Sequence, residues 1–202
     1  MAKNKLMMAA LKLLLGLSLL LLTACASDPV ENGIKYSRAS RLNLYKLDQW
    51  SFEGRIALVG QKDSWSANIT WDHDSEVEKI KISGPLGQGA VIITMTGDSV
   101  EIDRGGGDVK SSNQPDEFIN AQLGMFVPVQ SLKYWVVGLP EPNGQYRDTE
   151  MGFDQSGWLN EFAQMQVIED GGLMPRKVTI MNNKIKLKLI INNWILNDKR
   201  KN

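Results

Sequence analysis

From Asp63 to Asp72 the chain reads DSWSANITWD, and its side chains alternate without a fault. Trp65, Ala67, Ile69 and Trp71 point one way, while Ser64, Ser66, Asn68 and Thr70 point the other. A period of two is the period of a β-strand, here one that has an apolar and a polar face. The pattern recurs nearby. EKIKIS sets Ile80 and Ile82 against Lys79 and Lys81. DSVEIDRGGGD supplies Val100 and Ile102 and then a glycine turn. AVIITMTG (Ala90–Gly97) is apolar on both faces, which predicts a strand covered on both sides. Weaker strands are expected at Gly152–Asp154 and Trp158–Ile168. RKVTIMNNKIKLKLIINNWIL reads as a closing hairpin, with Ile185, Leu187, Leu189 and Ile191 opposed to Lys184, Lys186 and Lys188. Asn182-Asn183 at its tip suits a tight turn at positive φ.

Helical signals are few. YSRASRLNLYKLDQW (Tyr36–Trp50) has no helix breaker and carries Ala39, Leu42 and Tyr45 at helical spacing. QPDEFINAQLG opens with Pro115 and two acids and stops at Gly124, as a helix should. PVQSLKYWVVGLP follows, with Ser131 placed as an N-cap and Gly138 as a stop. No internal repeat is visible. The expectation is one mainly β (α+β) domain over residues 35–202, an antiparallel sheet interrupted by short helices.

Residues 1–24 have the form of an export signal. Lys3, Lys5 and Lys12 precede and enter the run LLLGLSLLLL, which is too short to span a bilayer. The signal ends at LTAC, and Cys25 is the single cysteine in the chain. LTAC resembles the lipobox of bacterial lipoproteins. That resemblance implies cleavage before Cys25, a thioether-linked diacylglycerol on its sulfur and an acylated amino group. Ala26 stands where an aspartate would retain an enteric lipoprotein in the inner membrane, so the outer membrane is the expected destination. Residues 25–34 include the polar segment ASDPVENG and read as a tether.

Catalysis finds no support in the sequence. His73, the one histidine, sits among acids in WDHDSE without zinc-ligand spacing, in a place where a turn would collect polar residues anyway. There is no nucleophile elbow, no phosphate loop and no paired-cysteine motif, and Gly84, Gly87 and Gly89 lack dinucleotide-binding spacing. No catalytic residue, metal or cofactor is therefore expected. The chain has 23 basic and 23 acidic residues. Three of the basic ones lie in the leader, so the remainder is net negative and offers nucleic acid no basic face.

Between the strands ending in EKIKIS and beginning at AVIITMTG lies GPLG, with a bare leucine at what should be a polar tip. Pro85 suits the second position of a turn, Leu86 the third, and Gly87 tolerates positive φ after it. That geometry aims Leu86 outward; the alternative is that Leu86 folds back onto apolar neighbours.

Three stretches in order, SGPLGQGAV, PVQSLKYWVVGLP and IKLKLIINNWIL, together with LTAC, resemble the LolB family of outer-membrane lipoproteins. The resemblance covers essentially the whole chain after the leader. It implies a strongly curved antiparallel sheet forming an incomplete barrel, closed by short helices over an apolar acyl-binding cavity. It also implies that the leucine of the protruding loop, here Leu86 between Pro85 and Gly87, is needed for cargo to enter the membrane. Trp65, Ile69, Trp71, Ile80, Ile82 and Ile92 are the candidates for the cavity's sheet wall. Phe126, Val136, Val137 and Leu139 are the candidates for its lid. The same residues would equally serve to fill an ordinary core.

The function this implies is acceptance of lipoproteins from the periplasmic carrier LolA and their insertion into the inner leaflet of the outer membrane. The partners would be lipoprotein acyl chains, LolA and the lipid holding the protein's own anchor, with the protein acting as a monomer. Two competing readings are an outer-membrane lipoprotein that binds another lipid or protein without inserting cargo, and one that braces an envelope assembly.

Overall fold

The computed structural model describes residues 35–61, 63–123, 126–169 and 172–197. They lie within one compact unit, Gly33–Asn202. Cys25, the leader, the tether up to residue 34 and the expected helix stop at Gly124 lie outside the described residues.

Eleven strands form one sheet. They are β1 (Gln49–Val59), β2 (Ser64–Asp74), β3 (Val77–Ser83), β4 (Val91–Thr96), β5 (Ser99–Asp103), β6 (Val109–Ser112), β7 (Tyr146–Thr149), β8 (Gly152–Gln155), β9 (Trp158–Val167), β10 (Leu173–Met181) and β11 (Lys186–Asn197). Their order is β6-β5-β4-β3-β2-β1-β11-β10-β9-β8-β7, with every neighbouring pair antiparallel. The chain winds outward from β1 in one direction and returns from the other edge to β11, which closes against β1. The edges β6 and β7 do not pair, so the sheet is open rather than a closed barrel. Helices α1 (Pro115–Leu123) and α2 (Val129–Trp135) fall between β6 and β7 in the chain.

Register fixes which side chains share a face. Phe52 opposes Trp71, Trp71 opposes Ile80, Ile80 opposes Ile93, and Ile93 opposes Ile102. On the other side of β1, Ile56 meets Leu189 and Leu58 meets Leu187, and these meet Val178 and Ile180 of β10. The resulting apolar row continues into Val129, Leu132, Trp135 and Val136 of the α2 region, all in one buried core. Burial of side chains of this size contributes about 1.5–3 kcal/mol apiece, and it is the main force holding helices to sheet.

Strand β1 has no counterpart among the sequence expectations. Trp50, Phe52, Ile56 and Leu58 do alternate, but Gly54 breaks the row. That glycine lies opposite a β-bulge in β11, where Glu53 pairs with Asn193 and Gly54 with Ile191 so that Asn192 is the extra residue, and an added Cβ would run into the Ile190 carbonyl. A bulge of this kind bends its strand and increases local twist.

Four expectations are corrected. The helix expected over Tyr36–Trp50 is a shorter 3₁₀ helix, Ala39–Lys46, and Gln49 and Trp50 instead open β1. Its Leu42 and Tyr45 are exposed, so no apolar face holds it in α-helical form; Trp50 gains more by joining the sheet core. Strand β4 is buried on one face only: Ile93 and Met95 face the core, while Ile92 and Thr94 are half-buried on the other side and Thr96 is exposed. Ser131 does not cap α2. Pro128 occupies the N-cap without a side-chain bond, and the Ser131 hydroxyl donates to Glu141 Oε2 at 2.7 Å. The Asn182-Asn183 turn needs no positive φ, because Asn182 Oδ1 accepts from the backbone N–H groups of Lys184 (2.8 Å) and Ile185 (2.9 Å). The asparagine side chain thus shapes the turn itself.

Candidate functional site

The GPLG turn joins β3 to β4. The Gly87 N–H donates to the Gly84 carbonyl at 2.8 Å, which closes a four-residue turn with Pro85 and Leu86 at its two central positions. Gly87 follows at φ 82°, a conformation costly for any residue with a Cβ. The Gly84 N–H donates to the Gln88 carbonyl at 2.9 Å, and Gln88 Oε1 accepts from the Leu86 N–H at 3.0 Å. From β2, Asn68 Nδ2 donates to the Gly84 carbonyl at 3.1 Å and lies 3.4 Å from that of Pro85. Five backbone polar groups of the turn thus have partners close by, while the leucine side chain is left in water: Leu86 is 93 % exposed. It is a fixed apolar point held away from the core.

The second part of the site is the sheet face under the helices. Ile69, Trp71 and Ile80 are buried on it, and Trp65 and Ile82 are half-buried toward the turn end. Val136, Val137 and Leu139, which follow α2, are buried in the same continuous core. Trp65 and Ile82 pack against that core as partly buried residues.

Two of the expected lining residues lie elsewhere. Ile92 pairs with Lys81 and Asp103, which places it on the face opposite Ile80 and Ile82. In a run apolar on both sides, alternation alone did not fix which parity faced inward; the pairing of Ile80 with Ile93 does. Phe126 is not part of the covering layer and stands 56 % exposed, because the buried neighbour that enters the core is Val127. The Val127 N–H donates to Asn120 Oδ1 at 2.6 Å, which turns the chain inward one residue after Phe126.

Two polar anchors, neither signalled by the sequence, tie the covering segment to the sheet. Arg41, in the 3₁₀ helix, is 2 % exposed. Its Nε donates to the Val137 carbonyl at 2.7 Å, its Nη2 donates to that same carbonyl, and its Nη1 donates to the Leu173 carbonyl at 2.6 Å. Burial pulls its guanidinium pKa down to about 10, so the charge is still present at neutral pH. One side chain thus joins the segment after α2 to the start of β10. The other anchor is Glu78 on β3. Its Oε2 accepts from Trp71 Nε1 at 2.8 Å, and its Oε1 lies 2.7 Å from His73 Nδ1 and 3.8 Å from Lys133 Nζ on α2. His73 stacks on Trp50 with ring centroids 4.8 Å apart. The lone histidine is a sheet residue held by Glu78 and Trp50. Among the described residues no group of three or more His, Cys, Asp or Glu gathers as a metal site.

The family model described as "Outer membrane lipoprotein LolB" matches residues 48–194. An outer-membrane lipoprotein LolB of Chromohalobacter salexigens is 33 % identical over 199 residues, covering 93 % of this chain and 92 % of its own. One from Stutzerimonas stutzeri is 30 % identical over 160 residues, covering 76 % and 77 %. A crystal structure of a DUF1329 family protein from Desulfovibrio piger superposes with a TM-score of 0.51 at 7 % identity, over 86 % of this chain and 95 % of that one. That last likeness concerns the fold alone. The family model and the relatives place the chain among the outer-membrane lipoproteins. Within that class, it belongs to the LolB family. Among the described residues no helix is long and apolar enough to cross a membrane.

Proposed function

We propose that the chain accepts lipoproteins from the periplasmic carrier LolA and inserts them into the inner leaflet of the outer membrane, with Leu86 as the residue that enters the bilayer. The observation that carries this reading is the 93 % exposure of Leu86 on a turn closed by the Gly87-to-Gly84 and Gly84-to-Gln88 backbone hydrogen bonds. An apolar side chain presented rigidly to water is an unfavourable arrangement unless another apolar phase receives it.

Energetics sets the route. Exposing acyl chain to water costs about 0.8 kcal/mol per methylene, so a lipoprotein with three chains does not cross the periplasm free. It passes from carrier to acceptor to bilayer. The chain carries no nucleotide-binding motif, and transfer therefore runs down a gradient of acyl affinity. The receiving surface is the face formed by Trp65, Ile69, Trp71, Ile80 and Ile82 beneath Val136, Val137 and Leu139. Acyl chains enter by separating the covering segment from the sheet and replacing its apolar contacts with their own. The exchange is of like for like, so it costs far less than exposure of either surface to water. The protein acts as a monomer, held at the membrane by lipid on Cys25 and reached through the tether of residues 25–34.

The test is transfer of an acylated lipoprotein from purified LolA to this protein in solution, then to liposomes. Transfer in both steps is expected. Absence of the first step would leave a lipoprotein that binds some other lipid or partner, and retention of cargo after the first would remove the insertion role.

A further inference from the structure

Phe126, expected as part of the lid and found at the surface, lies at the same end of the sheet as Leu86. The register shows this. β4 begins at Val91, immediately after the GPLG loop, and Ile92 pairs with Asp103 at the end of β5. Asp103 in turn pairs with Val109, the first residue of β6. The β5–β6 turn therefore stands beside the Leu86 turn. Arg104 in that turn reaches from the sheet to the C-terminal turn of α1, donating from Nη2 to Gln122 Oε1 at 2.6 Å. Phe126 lies three residues after the last residue of α1 and precedes Val127, whose N–H donates back to Asn120 of that helix. Three neighbouring places at one end thus each present an exposed apolar side chain: Leu86 on its turn, Val109 where β6 begins, at 50 % exposure, and Phe126 after α1, at 56 %.

We infer that Leu86, Val109 and Phe126 together form a lipid-contacting rim, so that the protein meets the bilayer along one edge of the sheet end rather than at a single point. The inference rests on the reading of Leu86 as a membrane-entering residue and extends it to two residues that reading does not use. A lipid surface is the occupant because the three exposed side chains stand on separate elements at one end of the sheet: a turn, the start of an edge strand and the segment after a helix. A planar apolar phase touches separated tips at once, whereas a protein partner would need the space between them filled. A lipid-anchored protein also has such a surface within reach of its tether at all times. Arg104 gives the rim a fixed spacing by tying the turn that carries Val109 to the helix that precedes Phe126.

The test uses the full lipid-modified protein in vesicles of phosphatidylethanolamine and phosphatidylglycerol containing nitroxide-labelled phosphatidylcholine. Cys25 is the one cysteine, and its acylated thioether leaves no free thiol. Cysteines introduced as Leu86→Cys, Val109→Cys, Phe126→Cys and Val167→Cys therefore take up a fluorophore at one position each, with the parent protein as the labelling control. Val167 is exposed at the end of β9 that lies opposite the Leu86 turn. Circular dichroism checks that each labelled variant is folded. The expected result is strong nitroxide quenching at positions 86, 109 and 126 and none at 167. In addition, Phe126→Ser should lower delivery to liposomes several-fold while leaving receipt from LolA intact. Quenching at 86 without quenching at 109 and 126 overturns the rim and leaves the proposed function standing. No quenching at 86 overturns the proposed function as well. Quenching at all four positions shows a domain lying flat on the bilayer and overturns the rim. A fluorescence change at 109 and 126 on adding LolA without vesicles, with no lipid quenching, assigns them to the carrier and overturns it too.

Discussion

At the scale of single residues, two side chains carry opposite roles, and substitutions separate them. Leu86 touches nothing, so replacing it leaves no hole. Leu86→Glu should melt within a degree or two of the parent by circular dichroism, because surface changes of this kind stay within about 0.5 kcal/mol. A fall of many degrees would make the leucine a core residue. Arg41 is the reverse case. Arg41→Ala leaves the buried Val137 carbonyl and the half-buried Leu173 carbonyl without this donor, and a buried group so left costs about 1–3 kcal/mol. The expected loss in a urea titration is about 2–5 kcal/mol, and a loss below about 1 kcal/mol would contradict the anchoring described for it. Neither role was equally legible. Leu86 showed itself because an apolar residue at a Pro-Gly turn breaks a local rule. Arg41 did not, because a buried arginine in a short helix looks like any surface arginine until its acceptors, about a hundred residues away in the chain, are known.

At the scale of elements, alternation marked every strand whose apolar face was unbroken: β2, β3, β5 and β11 lie where the period of two placed them. It failed at β1, where Gly54 interrupts the row for the sake of a bulge, and at β4, where both faces are apolar and parity is set only by the pairing with β3. The helices near the middle were marked by Pro115 and Gly138, yet Ser131 looked like a cap and instead bonds Glu141, since sequence does not show which of several polar groups a hydroxyl will meet. The bend at Gly54 is testable: Gly54→Val should destabilise the domain by more than about 2 kcal/mol, because a Cβ there meets the fixed Ile190 carbonyl. A variant that melts like the parent would show that β1 and β11 tolerate a wider spacing. The 3₁₀ helix has a further tie, the Arg38–Asp148 pair at 2.8 and 3.0 Å, and that bond holds the Asp148 carboxyl below its ordinary value. A depressed folded-state pKa means stability that is present above the unfolded carboxyl's pKa and lost as pH falls through the folded one. The melting curves of Asp148→Asn and the parent should therefore differ slightly at neutral pH, the pair being exposed, and converge in acid. A gap that persists unchanged into acid would rule out the ion pair as its source.

At the scale of the whole molecule, one open sheet presents two apolar features with different destinations. Under the proposed function the inner face opens in exchange for acyl chain, whereas the Leu86 turn stays outside. Receipt and delivery of cargo are then separable steps that depend on different residues. On the inner face, Ile82→Ala should weaken binding of a fluorescent fatty acid while circular dichroism shows a folded domain. Unchanged binding would move the receiving surface elsewhere. The central claim is tested most directly by Leu86→Glu in the two-step transfer from LolA to the protein and then to liposomes. Burial of the leucine in lipid contributes about 1.5–3 kcal/mol, and a carboxylate at the same point replaces that gain with a desolvation cost. The predicted result is normal receipt of cargo from LolA with delivery into liposomes lost. Delivery at the parent's rate would contradict it.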